Sequence, residues 1–152
     1  MILSKYKEIK EGVRNIKSWL PIIWKDRQYD YSFLLTIMIH KLILMSEFFN
    51  SDKTYSADAK LYAEQIKEAG AMLNYINNSE YEGSAMEPYY KAYPSDYDIS
   101  DFDSFIASVN KELTAEQKEL FDKSFKDIDK KYNLAMEIFC NIFKEQLRSW
   151  WD

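Results

Sequence analysis

The sequence predicts an all-α fold, a helical bundle of about four main helices. The chain has only three Gly and three Pro in 152 residues, too few for the tight turns of a many-stranded sheet. Apolar residues recur at helical spacing over long stretches. Hydrophobic residues make up 47% and aromatic residues 16% of the chain, enough for a packed core. We therefore expect a single helical domain over residues 1–152.

The first predicted helix spans residues 4–18, with Ser4 as its N-cap. One face carries an apolar stripe, and the other faces are rich in Lys and Arg. The stripe consists of Tyr6, Ile9, Val13 and Ile16. Because proline lacks a backbone N–H and clashes with the preceding turn, Pro21 should end or kink this helix near Trp19.

The second predicted helix runs from an Asp30 cap to about Phe49. Its apolar residues cover nearly every face, which is typical of a buried central helix. Either other helices surround it, or part of it forms an oligomer interface. The apolar stretch from Tyr31 to Met45 is shorter than a membrane span, so we expect no membrane partner.

A third helix is predicted from a Thr54 or Ser56 cap to about Asn77. One side of it is apolar, formed by Leu61, Tyr62, Ile66, Ala69, Leu73 and Ile76. Residues 79–104 have no clean periodicity and are acidic and rich in Tyr. We expect a long excursion there, with room for a short helix, docked by its tyrosines.

The last predicted helix starts at the capping-box pattern Thr114-Ala-Glu-Gln117 and runs nearly to the C-terminus. Such a long C-terminal helix would measure roughly 50 Å. That exceeds what one small domain needs. The pattern therefore indicates an oligomer contact or a kink near Lys130 and Lys131.

The net charge of −5 is unevenly distributed along the chain. Residues 1–29 carry seven Lys and Arg against three Asp and Glu, whereas residues 79–104 carry seven acidic residues against Lys91 alone. This balance argues against duplex nucleic acid as a partner but allows a local basic patch for a small anion.

The single cysteine, Cys140, cannot form an intrachain disulfide, and the first residues lack the apolar run of a signal peptide. A cytoplasmic location is expected.

The sequence offers little catalytic or metal-binding chemistry. One His and one Cys exclude His/Cys metal sites within a single chain. We expect His40 to be a satisfied core or interface histidine and Cys140 to be a small buried hydrophobe. The acidic run at residues 96–103 lacks the central Gly and closing Glu of a calcium-binding EF-hand. No catalytic residue, metal or cofactor is therefore predicted.

A metal-dependent nucleotide hydrolase remains an alternative. All-helical nucleotide pyrophosphohydrolases place carboxylates from two helices around magnesium. Candidate acids here are Glu64, Glu68, Glu112, Glu116 and Glu119. Their order and spacing do not match the paired acidic motifs of those enzymes. Surface ion pairs with nearby lysines are the expected role of these acids.

The segment from Trp19 to Tyr31 combines aromatic and charged residues around Pro21. It can be a structural corner, in which four apolar side chains staple the first two helices together: Trp19, Ile22, Ile23 and Trp24. Asp26 and Asp30 would then cap, and Arg27 would form an ion pair with one of them. It can equally be a binding site, because aromatic rings stack on bases and Arg and helix N–H groups bind phosphate. The candidate ligand-binding residues are Trp24, Lys25, Arg27, Tyr29, Tyr31, Lys41 and Trp151.

Two sequence motifs resemble those of a family of small helical phage proteins. The first is Ile23-Trp24-Lys25-Asp26-Arg27-Gln-Tyr29-Asp30 followed by Lys41-Leu42-x-x-Met45, close to the family pattern Ile-Trp-x-Asp-Arg-x-Trp/Tyr-Asp. The second is the C-terminal Trp150-Trp151-Asp152. Tyr29 stands where Trp is common, which changes the size of the pocket. The match covers residues of about 20–50 and 147–152.

The resemblance implies a relation to phage anti-defence sponges of the anti-CBASS type. Such proteins bind cyclic nucleotide immune signals in the infected bacterial cell and withhold them without hydrolysis. The expected assembly is a homo-oligomer, a dimer or tetramer, with ligand pockets at or near subunit interfaces. Trp151 would face the ligand or pin the last helix to the bundle. A second alternative is a phage inhibitor that binds a host defence protein directly, through the Tyr-rich residues 79–104.

Overall fold

The computed structural model describes residues 2–27, 29–94 and 112–151, and for residues 2–4 and 151 it describes the backbone alone. Over these ranges the chain forms five α-helices and no strand, so the predicted all-α class is confirmed. The helices are α1 (Ile2–Ile23), α2 (Tyr31–Phe49), α3 (Ala59–Asn77), α4 (Glu80–Ala92) and α5 (Ala115–Gln146), and a 3-10 turn covers Ser149–Trp151.

The chain divides into two compact units, Met1–Asn77 and Asn78–Asp152. In the first unit α2 packs along α3, and in the second α4 packs along α5. Each unit is thus built around one helix pair. The expectation of a single domain over residues 1–152 stays a prediction.

The core of the first unit lies on one side of α3. Ile66 and Leu73 are completely buried there, as the apolar periodicity predicts. The Ser46 hydroxyl of α2 is also buried and donates a hydrogen bond to the Ala63 carbonyl oxygen at 3.0 Å, which satisfies a polar group inside the contact. Leu61, predicted to line the same side, is instead 52% exposed. It projects from α3 away from the α2 contact.

Helix α2 has the predicted start and end, but the described residues bury only one side of it. Its buried residues are Leu42 and Ser46, on the side that meets α3. Leu34, Ile43 and Phe48 are 47–62% exposed. At 19 residues and a mean hydropathy of 1.6, the helix is longer than the apolar stretch read from the sequence. By length and composition it could cross a membrane, a weak criterion that ordinary core helices also meet.

Helix α1 is longer than predicted at both ends. It begins at Ile2 rather than after a Ser4 cap, and it continues through Pro21 to Ile23. Proline has no backbone N–H, so one hydrogen bond of the helix is lost, but the neighbouring residues can still donate their own. The Trp24 N–H still bonds to the Leu20 carbonyl oxygen at 3.0 Å and closes the last turn. Pro21 therefore does not end the helix near Trp19, and the alternative expectation of a kink stays a prediction.

The second unit includes a helix where the Tyr-rich excursion was predicted. Helix α4 docks on α5 through tyrosine rings, with Tyr81 against Tyr132 at 5.4 Å and Tyr89 against Phe121 at 5.3 Å between ring centroids. This agrees with an excursion docked by its tyrosines. Tyr97 and the acidic run at 96–103 lie outside the described residues.

Helix α5 begins with the predicted capping box. The Gln117 N–H donates to the Thr114 hydroxyl at 3.2 Å, and the Thr114 N–H donates to the Gln117 side-chain oxygen at 2.9 Å. The helix then continues without interruption for 32 residues, about 48 Å. Beyond its end Trp150 is only 3% exposed and packs against the ring of Phe143. Trp150 therefore anchors the C-terminal end of this unit.

Candidate ligand-binding site

The connection between α1 and α2, residues 24–30, presents aromatic rings to solvent together with Tyr31, the first residue of α2. The side chains of Trp24, Tyr29 and Tyr31 are 79%, 87% and 84% exposed. A single exposed aromatic residue is unremarkable, but three within eight positions form a concentrated stacking surface. The structure thus puts these three predicted residues on one short segment.

Two cationic side chains lie on the same connection. Lys25 and Arg27 are exposed, and one guanidinium nitrogen of Arg27 donates to the Asp26 carbonyl oxygen at 2.9 Å. The predicted ion pair between Arg27 and the Asp26 or Asp30 carboxylate is therefore replaced by a bond to backbone. A guanidinium has five N–H donors, so this single bond leaves others able to bind an anion.

Asp30 caps α2, as predicted. Its carboxylate accepts from the Ser32 N–H at 2.9 Å and from the Ser32 hydroxyl at 2.7 Å. This cap also places a negative charge at the helix N-terminus. The suggestion that the helix N–H groups hold phosphate is thus wrong for Ser32, since the carboxylate already occupies that N–H. The side chains of Lys25 and Arg27 remain as cationic groups for an anion on this segment.

The staple between α1 and α2 uses Trp19 rather than Trp24. The Trp19 ring meets the His40 ring edge-on at 4.7 Å, and His40 Nε2 lies 3.2 Å from the Ser18 hydroxyl oxygen. His40 is therefore a satisfied, half-buried histidine, as predicted. Trp24, at 79% exposed, does not take the stapling role assigned to it, whereas that of Ile23, at 52% exposed, stays a prediction. Trp24 is left available for a ligand.

Of the remaining two candidate residues, Lys41 lies apart from this group. Lys41 is exposed and lies almost three turns beyond Tyr31, about 15 Å along α2. Its neighbour Leu42 is buried and takes the position against α3 instead. The Trp151 side chain and the whole of Asp152 lie outside the described residues.

The sequence reasoning missed an open apolar groove between α2 and α3. Its volume is about 620 Å³, and its lining includes Ile39, Leu42, Ile43, Glu47, Ile66 and Gly70. The signal was present in the sequence, since an α2 that is apolar on nearly every face cannot be covered by a single partner helix. The lining of the groove includes the cation Lys67 but no aromatic side chain, unlike the connection.

Reactive groups outside the connection include Cys140 and two ion-paired carboxyls. Cys140 is exposed on α5 rather than buried. Among the residues that the structure describes, no group of three or more His, Cys, Asp or Glu side chains is arranged to hold a metal ion.

On α4 the Lys91 ammonium lies 2.7 Å from the Glu87 carboxylate, and its hydrogen bond lowers the pKa of that carboxyl. The Lys130 hydrogen bond to Asp127 lowers the pKa of the Asp127 carboxyl in the same way.

Comparison of the chain with protein-family models, curated proteins and solved structures found no match in any of the three. The function must therefore be argued from the chemistry of the α1–α2 connection.

Proposed function

We propose that this chain is a phage-type anti-defence protein that binds a cyclic nucleotide signal at the α1–α2 connection and sequesters it unchanged. The observation that carries the proposal is the exposure of three aromatic rings, 79–87%, beside the two cations of the connection. The motif that gives the resemblance to phage proteins covers this same connection.

The side chains match the chemistry of such a ligand. Aromatic stacking on a base contributes roughly 1–3 kcal/mol and tolerates any base. Arg27 can make bidentate bonds to a phosphate, and Lys25 adds a second positive charge. A cyclic dinucleotide combines two bases with two phosphates. It can therefore engage more than one ring and both cations at once.

The residues of the connection favour binding over turnover. Positions 24–31 contain no His, Cys or Ser, and their acidic groups are Asp26 and Asp30. The Asp30 carboxylate is held by two hydrogen bonds as the α2 cap. Hydrolysis of a phosphodiester needs a positioned base, nucleophile or metal-bound water. Sequestration needs none of these groups.

A second copy of the chain would complete the enclosure. Small-molecule sites usually bury 70–90% or more of a drug-sized ligand, and the rings on one chain are open to solvent. We expect a homo-oligomer, a dimer or tetramer, to close the site. The exposed Leu34, Ile43 and Phe48 of α2 support this part of the proposal, because they offer apolar surface for a subunit contact.

Isothermal titration with cyclic di- and trinucleotides tests the proposal. We expect saturable binding by the full chain, lost in Trp24→Ala and in Arg27→Ala. The matched controls are Tyr55→Ala and Lys53→Ala, which remove a fully exposed ring and an exposed cation from the loop between α2 and α3. The bound nucleotide should be recovered intact after heat denaturation. Recovery of a cleaved product, or binding unaffected by the Trp24 and Arg27 substitutions, would contradict the proposal.

A further inference from the structure

Helix α1 carries a line of exposed apolar side chains with a regular alternation of spacings. The line consists of Tyr6, Ile9, Val13, Ile16, Leu20 and Ile23, and each of them is 46–66% exposed. The steps between them alternate between three and four residues without exception. This is the a/d pattern of a heptad repeat, with Tyr6, Val13 and Leu20 at a and the three isoleucines at d.

The line is narrow, and the residues that the structure describes leave it about half or more exposed. From Lys5 to Ser18 two positions in seven are apolar, which is the width of a coiled-coil seam rather than of the broader face that packs into a globular core or a membrane surface. Contact with α2 is made by Ser18 and Trp19, which lie beside the line. The line of apolar side chains, called the seam below, therefore stays exposed although α1 contacts α2.

Three of the five positions that flank the seam are basic, and the other two are Gly12 and Trp19. Lys10 and Lys17 occupy e positions, and Lys5 occupies a g position. The acidic residues of this helix, Glu8 and Glu11, fall at c and f, away from the seam. Residues at e and g face the partner helix and decide which partner is accepted. The seam therefore suits a helix with acidic flanks.

A second copy of α1 is the wrong partner on these charges. In a parallel pair, Lys5 would face Lys10 of the second copy. In an antiparallel pair, Lys10 would face Lys17. Both arrangements put like charges together at the edge of an apolar contact, which opposes pairing.

We propose that α1 is a docking helix for an acidic amphipathic helix of another protein, one with aliphatic residues at a and d and Glu or Asp at e and g. The pair would form a two-stranded coiled coil over Tyr6 to Ile23, about 26 Å long. This inference is independent of nucleotide binding, since it uses none of the residues of the α1–α2 connection.

Two designed heptad peptides test the proposal on the full chain. Both have Ile and Leu at a and d; one has Glu at every e and g position, and the other has Lys there. We expect the acidic peptide to bind at least about tenfold more tightly than the basic one. Raising the salt concentration from about 50 mM to about 500 mM should weaken acidic-peptide binding.

Three sets of variants separate the contributions to peptide binding of the apolar seam, of the flanking lysines and of the other basic residues of α1. Ile9→Asp with Ile16→Asp should abolish binding while circular dichroism shows unchanged helix content, because both side chains are exposed. Lys5→Glu, Lys10→Glu and Lys17→Glu together should reverse the preference toward the basic peptide. The matched control, Lys7→Glu with Arg14→Glu, changes charge at the outer b positions and should keep the acidic preference.

Three results would overturn the proposal. The first is equal binding or no binding of the two peptides. The second is a dimer in sedimentation analysis that the Ile9 and Ile16 substitutions dissociate, which would assign the seam to a second copy. The third is binding to phosphatidylglycerol vesicles that the same substitutions abolish, which would assign it to a membrane surface.

Discussion

Helices α1 and α3 are both amphipathic, but only α3 buries its apolar side. Ile66 and Leu73 on α3 are 0% and 1% exposed, whereas Ile9 and Ile16 on α1 are 66% and 63% exposed. The two helices are similar in length, 22 and 19 residues. The difference lies in the neighbour, because α3 has α2 along its length and α1 touches α2 near Ser18 and Trp19.

The comparison teaches that periodicity locates an apolar face but does not say what covers it. In α3 the cover belongs to the same chain, so the face contributes to stability. In α1 and in the connection that follows it, apolar and aromatic side chains remain open, so they are available for binding. Substitutions should therefore affect folding in one region and association in the other.

The largest contrast is expected between two tryptophans. Trp150→Ala removes a ring that is 3% exposed and should lower the free energy of unfolding of its unit by about 3–5 kcal/mol. Trp24→Ala removes a ring that is 79% exposed and should change stability by no more than about 0.5 kcal/mol. Urea denaturation followed by circular dichroism measures both. A large loss of stability in Trp24→Ala would mean that the connection is structural.

A second contrast concerns the two apolar stripes themselves. Leu73→Ala should destabilise the first unit by about 2–5 kcal/mol, because it leaves a cavity in a closed contact. Ile16→Ala should be nearly neutral, within about 0.5 kcal/mol. Equal effects in the same denaturation experiment would show that the α1 stripe is covered in solution.

Two glycines test whether α1 is helical without a covering partner. A Cβ at Gly12 would meet no atom within 4 Å, and one at Gly70 would lie 3.6 Å from the Leu42 Cβ, an ordinary contact. Gly→Ala at either site should stabilise the chain by about 0.5–1 kcal/mol by favouring the helix. Thermal melts would show both gains. A gain at Gly70 with none at Gly12 would argue that α1 frays.

The smallest expected effect is electrostatic. The Lys91 hydrogen bond holds the pKa of the Glu87 carboxyl below its ordinary value. Because the pKa is lower in the folded chain, this contribution to α4 is present above the unfolded pKa and is lost as the pH falls through the folded one. Lys91→Met should return the Glu87 pKa toward its ordinary value in a carboxyl NMR titration. The control Lys131→Met should move it less, since Lys131 acts only through a weaker charge interaction.

Local signals in the sequence were sufficient for much of the fold. The Asp30 cap and the capping box of Thr114 and Gln117 act over two or three residues, and both starts were predicted correctly. The continuation of α1 through Pro21 was missed, because loss of one N–H does not stop the following residues from bonding. For the candidate site, the sequence could not predict that Lys41 and Trp24 are exposed. The exposure of Lys41 depends on which side of α2 packs against α3. The exposure of Trp24 depends on Trp19, rather than Trp24, making the contact with α2.

A paired thermal-shift measurement tests the central claim, that the α1–α2 connection is a nucleotide-binding surface. The double variant Trp24→Ala with Arg27→Ala is compared with the control double variant Tyr55→Ala with Lys53→Ala, each with and without excess cyclic dinucleotide. A ligand that binds the folded chain at a hundredfold excess over its Kd adds about 2.7 kcal/mol of stability. We predict a raised melting temperature in the native chain and in the control, and none in the Trp24 and Arg27 variant. Equal shifts in both variants, or no shift in the native chain, would contradict the account.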